Sequence, residues 1–319
     1  MPNQVEWRFE ALQDGVLEFE RVLRGLCGSS VPPHSTFEDL ALALVEMNAA
    51  SKGELGLDEA VNYRERWRRA VGFSDIVRKA LAVQTHKDFP SLRSHFLLLL
   101  RNSGLVQNSP TSAKDQTTTK VFELLVGLAL MRIATDVRLD DPVRSKGDNP
   151  DVIAKIEGTT WGFACKTPHT ANAKTYVDNV RVGVDQLERA PVDHGVVIMN
   201  LRNLINHDDL WSSRSRDGRF VYDAYRSEEG AEAALFKEGE RMQDAVAAEF
   251  GGPIAIAALF RGKKAIPLVL NYLATVLGVI REGRQSPLTS MRRLLAWQLA
   301  PHSGDDQFFE RFNEAMLGP

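Results

Sequence analysis

The first third of the chain has the spacing of buried helices. Between about residues 5 and 108, apolar side chains recur at steps of three and four, which places them on one helix face. Ser35 and Glu38 have the form of a capping box and predict a second helix from about Thr36 to Met47. Further helices are predicted over residues 58–71, 74–83 and 91–102. We therefore predict an all-α N-terminal domain over residues 1–108.

The pattern changes after a polar, turn-rich stretch at about residues 107–118, which we interpret as a linker. Short apolar runs bounded by turn residues now alternate with amphipathic helices. The predicted order is a helix at 118–135, strands at 136–139, 151–156 and 160–166, a helix at 175–189 and a strand at 195–201. This order is typical of an α/β fold with a mixed sheet flanked by helices. A second domain is thus predicted over residues 109–319, with its core at about 118–201.

The last third is less regular. We predict a long polar loop over residues 206–220, a helix over 231–250, a strand over 254–260 and a helix over 267–279. The pattern leaves open whether the chain from Ala231 onward belongs to the core or forms an added subdomain.

Composition limits the class of protein. No apolar run approaches the roughly 20 residues of a membrane span, and the first residues lack the features of a signal peptide, so we expect a cytoplasmic protein without a membrane partner. Two cysteines, Cys27 and Cys165, exclude a disulfide scaffold. A formal charge of -3 excludes a protein that coats nucleic acid by bulk charge.

Candidate chemistry lies around one predicted hairpin. Asp151 follows Pro150 at the start of a strand, Lys166 ends the next strand, and Glu123 lies on the preceding helix. The hairpin at Glu157 and Gly158 brings the carboxylate and the ammonium to one sheet edge. Two carboxylates suit Mg²⁺, which activates water for phosphodiester hydrolysis, and a lysine there neutralises a phosphate or positions the water.

These residues resemble the PD-(D/E)xK, or restriction-endonuclease-like, nuclease superfamily over about residues 118–201. The resemblance implies a restriction-endonuclease-like mixed sheet, Glu123 and Asp151 as ligands of Mg²⁺ or a substituting Mn²⁺, and Lys166 as the catalytic lysine. The chain departs from the family pattern at Ala164, where an acid normally precedes the lysine by two residues.

Three replacements for the missing acid can be compared. Glu157 is rejected because six extended residues, about 20 Å, separate it from Asp151. Asp178 or Asp185 on the following helix is a second option. The option we prefer keeps Glu123 and Asp151 as the only acids, with the Cys165 backbone carbonyl and water completing the metal shell.

Contacts to nucleic acid are predicted outside this cluster. The candidates are Gln186, Arg214, Arg216, Arg219 and His169. Arg292 and Arg293 face either DNA or solvent. The Cys165 side chain is expected to be a small core residue.

The leading prediction is therefore a Mg²⁺-dependent nuclease that cuts DNA in restriction, phage defence or repair. A homodimer suits a two-stranded substrate, and a partner protein would supply any ATPase or targeting activity because the chain has no phosphate-binding Gly-rich loop. The alternative is a catalytically inactive member of the same fold that serves as a nucleic-acid-binding or assembly module. Ala164 favours the alternative, and the three retained charged residues favour the nuclease.

Overall fold

The N-terminal part is helical, as predicted. The computed structural model describes residues 9–28, 31, 36–51, 63–102, 116–143, 149–170, 172–210, 213–216, 219–222, 225, 227–281, 284–301 and 306–318. The N-terminal helices are α1 (Phe9–Cys27), α2 (Thr36–Ser51), α3 (Tyr63–Val83) and α4 (Arg93–Asn102), with a 3₁₀ turn at Phe89–Leu92. The break predicted between residues 71 and 74 is wrong, because burial of residues 70–77 stabilises α3 as one continuous helix. Most of the predicted linker lies outside the described residues.

The rest of the chain alternates helices and strands. In order, the elements are α5 (Gln116–Leu130), β1 (Thr135–Leu139), β2 (Val152–Ile156), β3 (Thr159–Lys166), α6 (Ala173–Arg189), β4 (His194–Asn200), α7 (His207–Leu210), β5 (Ser213–Arg216), β6 (Arg219–Tyr222), α8 (Glu228–Phe250), α9 (Pro253–Ala257), β7 (Ala265–Arg281), β8 (Arg284–Gln298) and α10 (Asp306–Leu317). The predicted succession of helix, three strands, helix and strand is present from α5 to β4.

Six strands form one mixed sheet in the order β1-β2-β3-β4-β7-β8. The β1–β2, β2–β3 and β7–β8 pairs are antiparallel, whereas β3, β4 and β7 run parallel. The turn between β2 and β3 has positive φ at both Glu157 (50°) and Gly158 (90°), which matches the right-handed twist of a two-residue hairpin. The sheet therefore aligns the start of β2 with the carboxyl end of β3.

Helices cover both faces of the sheet. On one face, α10 stacks Phe308 and Phe312 on Phe163 of β3, and α5 places Phe122 against Tyr272 of β7. On the other face, Gly183 of α6 lies close to Ala164. The resulting α/β/α layering removes both sheet faces from water and accounts for nearly complete burial of β3 and β4.

Three predictions for the last third are wrong. Residues 254–260 form α9 and a 3₁₀ turn, with Pro253 in the first helical turn. Residues 267–279 belong to strand β7, because a strand buried on both faces is apolar throughout and its period cannot be distinguished from that of a helix. Residues 206–220 contain α7 and the antiparallel pair β5–β6 instead of one loop. The chain after Ala231 belongs to the core, since β7 and β8 are strands of the main sheet.

The N-terminal helices pack directly on the α/β part. Lys79 of α3 donates hydrogen bonds to the carbonyl oxygens of Ala315 and Gly318 at the end of α10, and Asp75 pairs with Arg292 of β8. Buried apolar residues of both parts form one continuous core. The domain boundary near residue 108 stays a prediction. Within the described ranges, we find no helix with the length and hydrophobicity needed to span a bilayer.

Candidate active site

The three charged residues singled out in the sequence converge at the carboxyl edge of β3. Asp151 Oδ2 accepts hydrogen bonds from the backbone nitrogen of Cys165 (2.7 Å) and from Lys166 Nζ (3.1 Å). Lys166 Nζ also donates to the carbonyl oxygen of Cys165 at 3.1 Å. The antiparallel β2–β3 register produces this arrangement, because it places the residue before Val152 beside the end of β3. Asp151 is thus fixed by backbone and side-chain donors together.

Glu123 of α5 joins the cluster through Lys120, a residue that the sequence analysis did not single out. Lys120 lies one turn earlier on α5, with Nζ at 2.8 Å from Glu123 Oε1 and 3.9 Å from Asp151 Oδ1. Glu123 is completely buried and Lys120 nearly so. The i, i+3 spacing on one helix was the available signal, since it places both side chains on the same face.

A second unexpected neighbour comes from the N-terminal helices. His95 of α4 is buried with Nε2 3.5 Å from Glu123 Oε2. Burial, reinforced by the nearby Lys120 ammonium, lowers the pKa of His95 to about 3, so the imidazole is neutral at pH 7. No spacing rule connects His95 with Glu123, because the contact depends on how α4 packs on α5.

Burial and neighbouring charges act against each other at Glu123 and Lys120. Burial raises the pKa of Glu123 well above its ordinary value, the Asp151 carboxylate adds to this effect, and Lys120 opposes it. Burial lowers the pKa of Lys120, but attraction to Glu123 and Asp151 outweighs burial and leaves that pKa raised. Burial and Asp151 thus favour the neutral form of Glu123 and Lys120 favours its carboxylate, so the charge of each group depends on its partners.

Ala164 leaves no space for an acid on its own strand face. Its side chain is fully buried, and a Cβ added at Gly183 of α6 would lie 3.3 Å from the Ala164 Cβ. Asp178 of α6 is half-exposed and forms an ion pair with Arg181 at 2.8 Å. Glu157 pairs with Arg311 at the opposite end of the hairpin. Of the four acids Asp151, Glu123, Asp178 and Glu157, the structure thus brings the first two to the cluster with Lys166 and Lys120.

The residues predicted to contact nucleic acid lie on several different elements. His169 is half-buried three residues beyond Lys166. Gln186 is buried beside Leu187, which packs on Gly162, and Gly162 precedes Lys166 by four residues, about 13 Å along an extended strand. A contact of Gln186 with nucleic acid stays a prediction.

The three arginines predicted to lie in a polar loop instead lie on strands. Arg214 and Arg216 belong to β5 and Arg219 to β6, while the positions of their side chains lie outside the described residues. Arg292 and Arg293 pair with Asp75 and Glu232, so both are engaged within the fold.

The donor atoms fit a hard divalent cation. Glu123 and Asp151 supply carboxylate oxygens, and Cys165 supplies a backbone carbonyl oxygen beside them, which is the ligand chemistry that Mg²⁺ prefers. Over the described part of the chain, no group of three or more His, Cys, Asp or Glu side chains is suited to a metal. A cation here would be held by two side chains, the carbonyl and water.

Comparison of the chain with protein-family models, with curated proteins and with solved structures gave no match. The functional argument therefore depends on the geometry of the site itself.

Proposed function

We propose that the chain is a metal-dependent nuclease of the PD-(D/E)xK type that hydrolyses DNA phosphodiester bonds, in restriction, phage defence or repair. The observation that carries the proposal is the convergence of Glu123, Asp151 and Lys166 at one sheet edge, with Lys166 Nζ 3.1 Å from Asp151. The helix, hairpin and strand order that delivers these side chains supports the restriction-endonuclease-like assignment.

Each side chain has a separate task in this proposal. Glu123, Asp151 and the Cys165 carbonyl would hold Mg²⁺, or Mn²⁺ in its place, which when bound stabilises phosphoryl charge and lowers the pKa of water. The Cys165 amide orients Asp151 by donating to Oδ2. Lys166 supplies a compact positive charge beside the ligand oxygens, where it neutralises the scissile phosphate or positions the attacking water.

The neighbouring segments supply substrate contacts in this proposal. Arg214, Arg216 and Arg219 on the β5–β6 hairpin, together with His169 after β3, are the candidates for phosphate contacts. A homodimer would present two such sites to the two strands of a duplex. A partner protein would supply any ATPase or targeting activity.

The second candidate is a catalytically inactive binding or assembly module on the same fold. Lys120 favours it, because two ammonium groups already balance the two carboxylates that would otherwise attract a cation. Ala164 adds to this argument, since it removes a third acid from the strand.

Cleavage of supercoiled plasmid and linear duplex separates the two candidates. The purified protein is incubated with Mg²⁺, Mn²⁺ or EDTA, beside a Lys166→Ala variant. Cutting that requires the metal and is lost in the variant supports the nuclease. Binding of DNA without cutting under any metal, unchanged in the variant, supports the inactive module.

A further inference from the structure

The last ladder of the sheet continues beyond its neighbours. Strand β4 pairs with β7 as far as Asn200 and Tyr272, whereas β7 and β8 stay paired out to Arg281 and Arg284. In the described part of the sheet, β7 beyond Tyr272 pairs only with β8. We call this section, residues 273–281 and 284–293, the arm. From Tyr272 to Arg281 it extends about 30 Å at about 3.3 Å per residue.

The arm leaves the sheet at the edge that carries the candidate active site. Strands β3, β4 and β7 are parallel, so their carboxyl ends share one edge. Lys166 pairs with Met199 of β4, and Met199 pairs with Asn271 of β7. Lys166 and the base of the arm are therefore two strands apart, about 10 Å at about 4.8 Å per strand.

The last residue pair of the arm consists of two arginines. Arg281 pairs with Arg284, and Glu282 and Gly283 separate them in the sequence. Two arginines at paired backbone positions give the tip of the arm an excess of positive charge, which attracts an anionic partner. An anionic partner would therefore stabilise the end of the arm.

The β5–β6 hairpin repeats this arrangement. Arg216 pairs with Arg219, with Asp217 and Gly218 between them in the sequence. The hairpin follows α7, where His207 Nδ1 lies 2.9 Å from Thr275 Oγ1 at the base of the arm. Two hairpins with the same Arg-acid-Gly-Arg order thus start near one edge of the sheet.

We propose that the arm binds in the major groove of B-form duplex DNA, with Arg281 and Arg284 contacting backbone phosphates, and so holds the duplex against the edge that carries Lys166. This inference rests on the proposed nuclease function and adds which element holds its duplex substrate. The B-form major groove, about 12 Å wide, admits a two-stranded β-ribbon, whereas the A-form groove of duplex RNA is too narrow for one. A neutral or cationic ligand would not suit two arginines at paired positions.

The test is binding of fluorescently labelled duplex DNA, followed by anisotropy in EDTA over a range of salt concentrations. The Arg281→Ser/Arg284→Ser variant is compared with Arg261→Ser/Lys263→Ser, which removes two exposed cations before the amino end of the same strand. Loss of two phosphate contacts makes the fall of the log association constant with log salt less steep, reducing the magnitude of the slope by about 2, and weakens binding more than tenfold at about 0.1 M salt. The control variant binds like the wild-type protein.

Three results would overturn the arm proposal. They are equal binding by the arm and control variants, an equal dependence on the arm for single-stranded DNA or duplex RNA, and no duplex binding by the wild-type protein. Plasmid cleavage by the same preparations separates this proposal from the nuclease. Cleavage with arm-independent binding overturns the arm alone, and arm-dependent binding without cleavage leaves the arm supported and counts against the nuclease.

Discussion

Lys120, at the scale of single residues, shows how much the candidate site depends on charge balance. Its ammonium contacts Glu123 and approaches Asp151, while the Glu123 carboxylate is fully buried. Removing one partner of a buried ion pair leaves the other charge buried without a partner, which typically lowers the free energy of unfolding by about 3 to 5 kcal/mol. Replacing both partners with neutral groups costs much less.

We therefore predict that Lys120→Met lowers the free energy of unfolding by about 3 kcal/mol. The Lys120→Met/Glu123→Gln double variant should recover most of this loss. Urea unfolding of the four proteins in a double-mutant cycle measures the coupling. Additive losses in the double variant would show that the two side chains act independently.

The sequence predicted Glu123, Asp151 and Lys166 because each has a fixed position relative to a strand or a helix. Lys120 could have been found by the same reasoning, since i, i+3 neighbours share a helix face. His95 could not, because its approach to Glu123, 28 residues further along the chain, is set by the packing of α4 on α5. Tertiary contacts of this kind leave no local pattern.

Buried Lys79 predicts a pH dependence of stability. Burial lowers the pKa of Lys79 to about 7, against the attraction of Asp75 and with repulsion from Arg292, Arg132 and Arg78. An unfolded lysine titrates near 10.4, so between about pH 7 and 10 the unfolded state binds more protons and stability rises with pH. The unfolding free energy of the wild-type protein, relative to Lys79→Met, should rise over this window by up to about 1.4 kcal/mol per pH unit. A difference in unfolding free energy between the two proteins that stays constant over this pH range would contradict the prediction.

At the scale of elements, close contacts between α6 and the sheet explain the glycines of β3 and β4. A Cβ at Gly195 would lie 2.6 Å from Leu187 Cδ2, whereas one at Gly25 of α1 meets nothing within 4 Å. Substitution by alanine at Gly195 and at Gly25 should therefore change the free energy of unfolding in opposite directions.

We predict that Gly195→Ala lowers the free energy of unfolding by about 1 to 3 kcal/mol, because α6 or Leu187 must move. Gly25→Ala should raise it by up to about 1 kcal/mol, since alanine favours the helix. Chemical denaturation of both variants measures the difference. A destabilised Gly25→Ala together with an unaffected Gly195→Ala would be inconsistent with this packing.

Element prediction succeeded where amphipathic alternation was clear and failed where it was not. Strand β2, next to Asp151, alternates between buried and more exposed positions, and a recognisable turn joins it to β3. The period of its apolar residues therefore identifies it as a strand. Strand β7 is buried on both faces over residues 268–275, and its apolar run was assigned to a helix. Sheet neighbours, and not local propensity, determine its conformation.

The whole molecule is held together across the predicted domain boundary. Helix α3 contacts α5 and β7, Lys79 caps the end of α10, and one apolar core extends through both parts. We predict that the chain unfolds in a single transition, so that far-UV circular dichroism and tryptophan fluorescence give the same denaturation midpoint. Two separated midpoints would show that residues 1–108 fold independently.

The central claim is that Asp151 belongs to a phosphodiester-cleaving site, and the most direct test is the single-turnover rate of duplex cleavage by Asp151→Asn. The matched control is Asp178→Asn, the same change on a half-exposed residue paired with Arg181. We predict that Asp151→Asn lowers the rate in Mg²⁺ by at least about 10³-fold with duplex binding in EDTA retained, while Asp178→Asn cuts like the wild-type protein. Equal rates for the two variants, or loss of activity only in Asp178→Asn, would contradict the account.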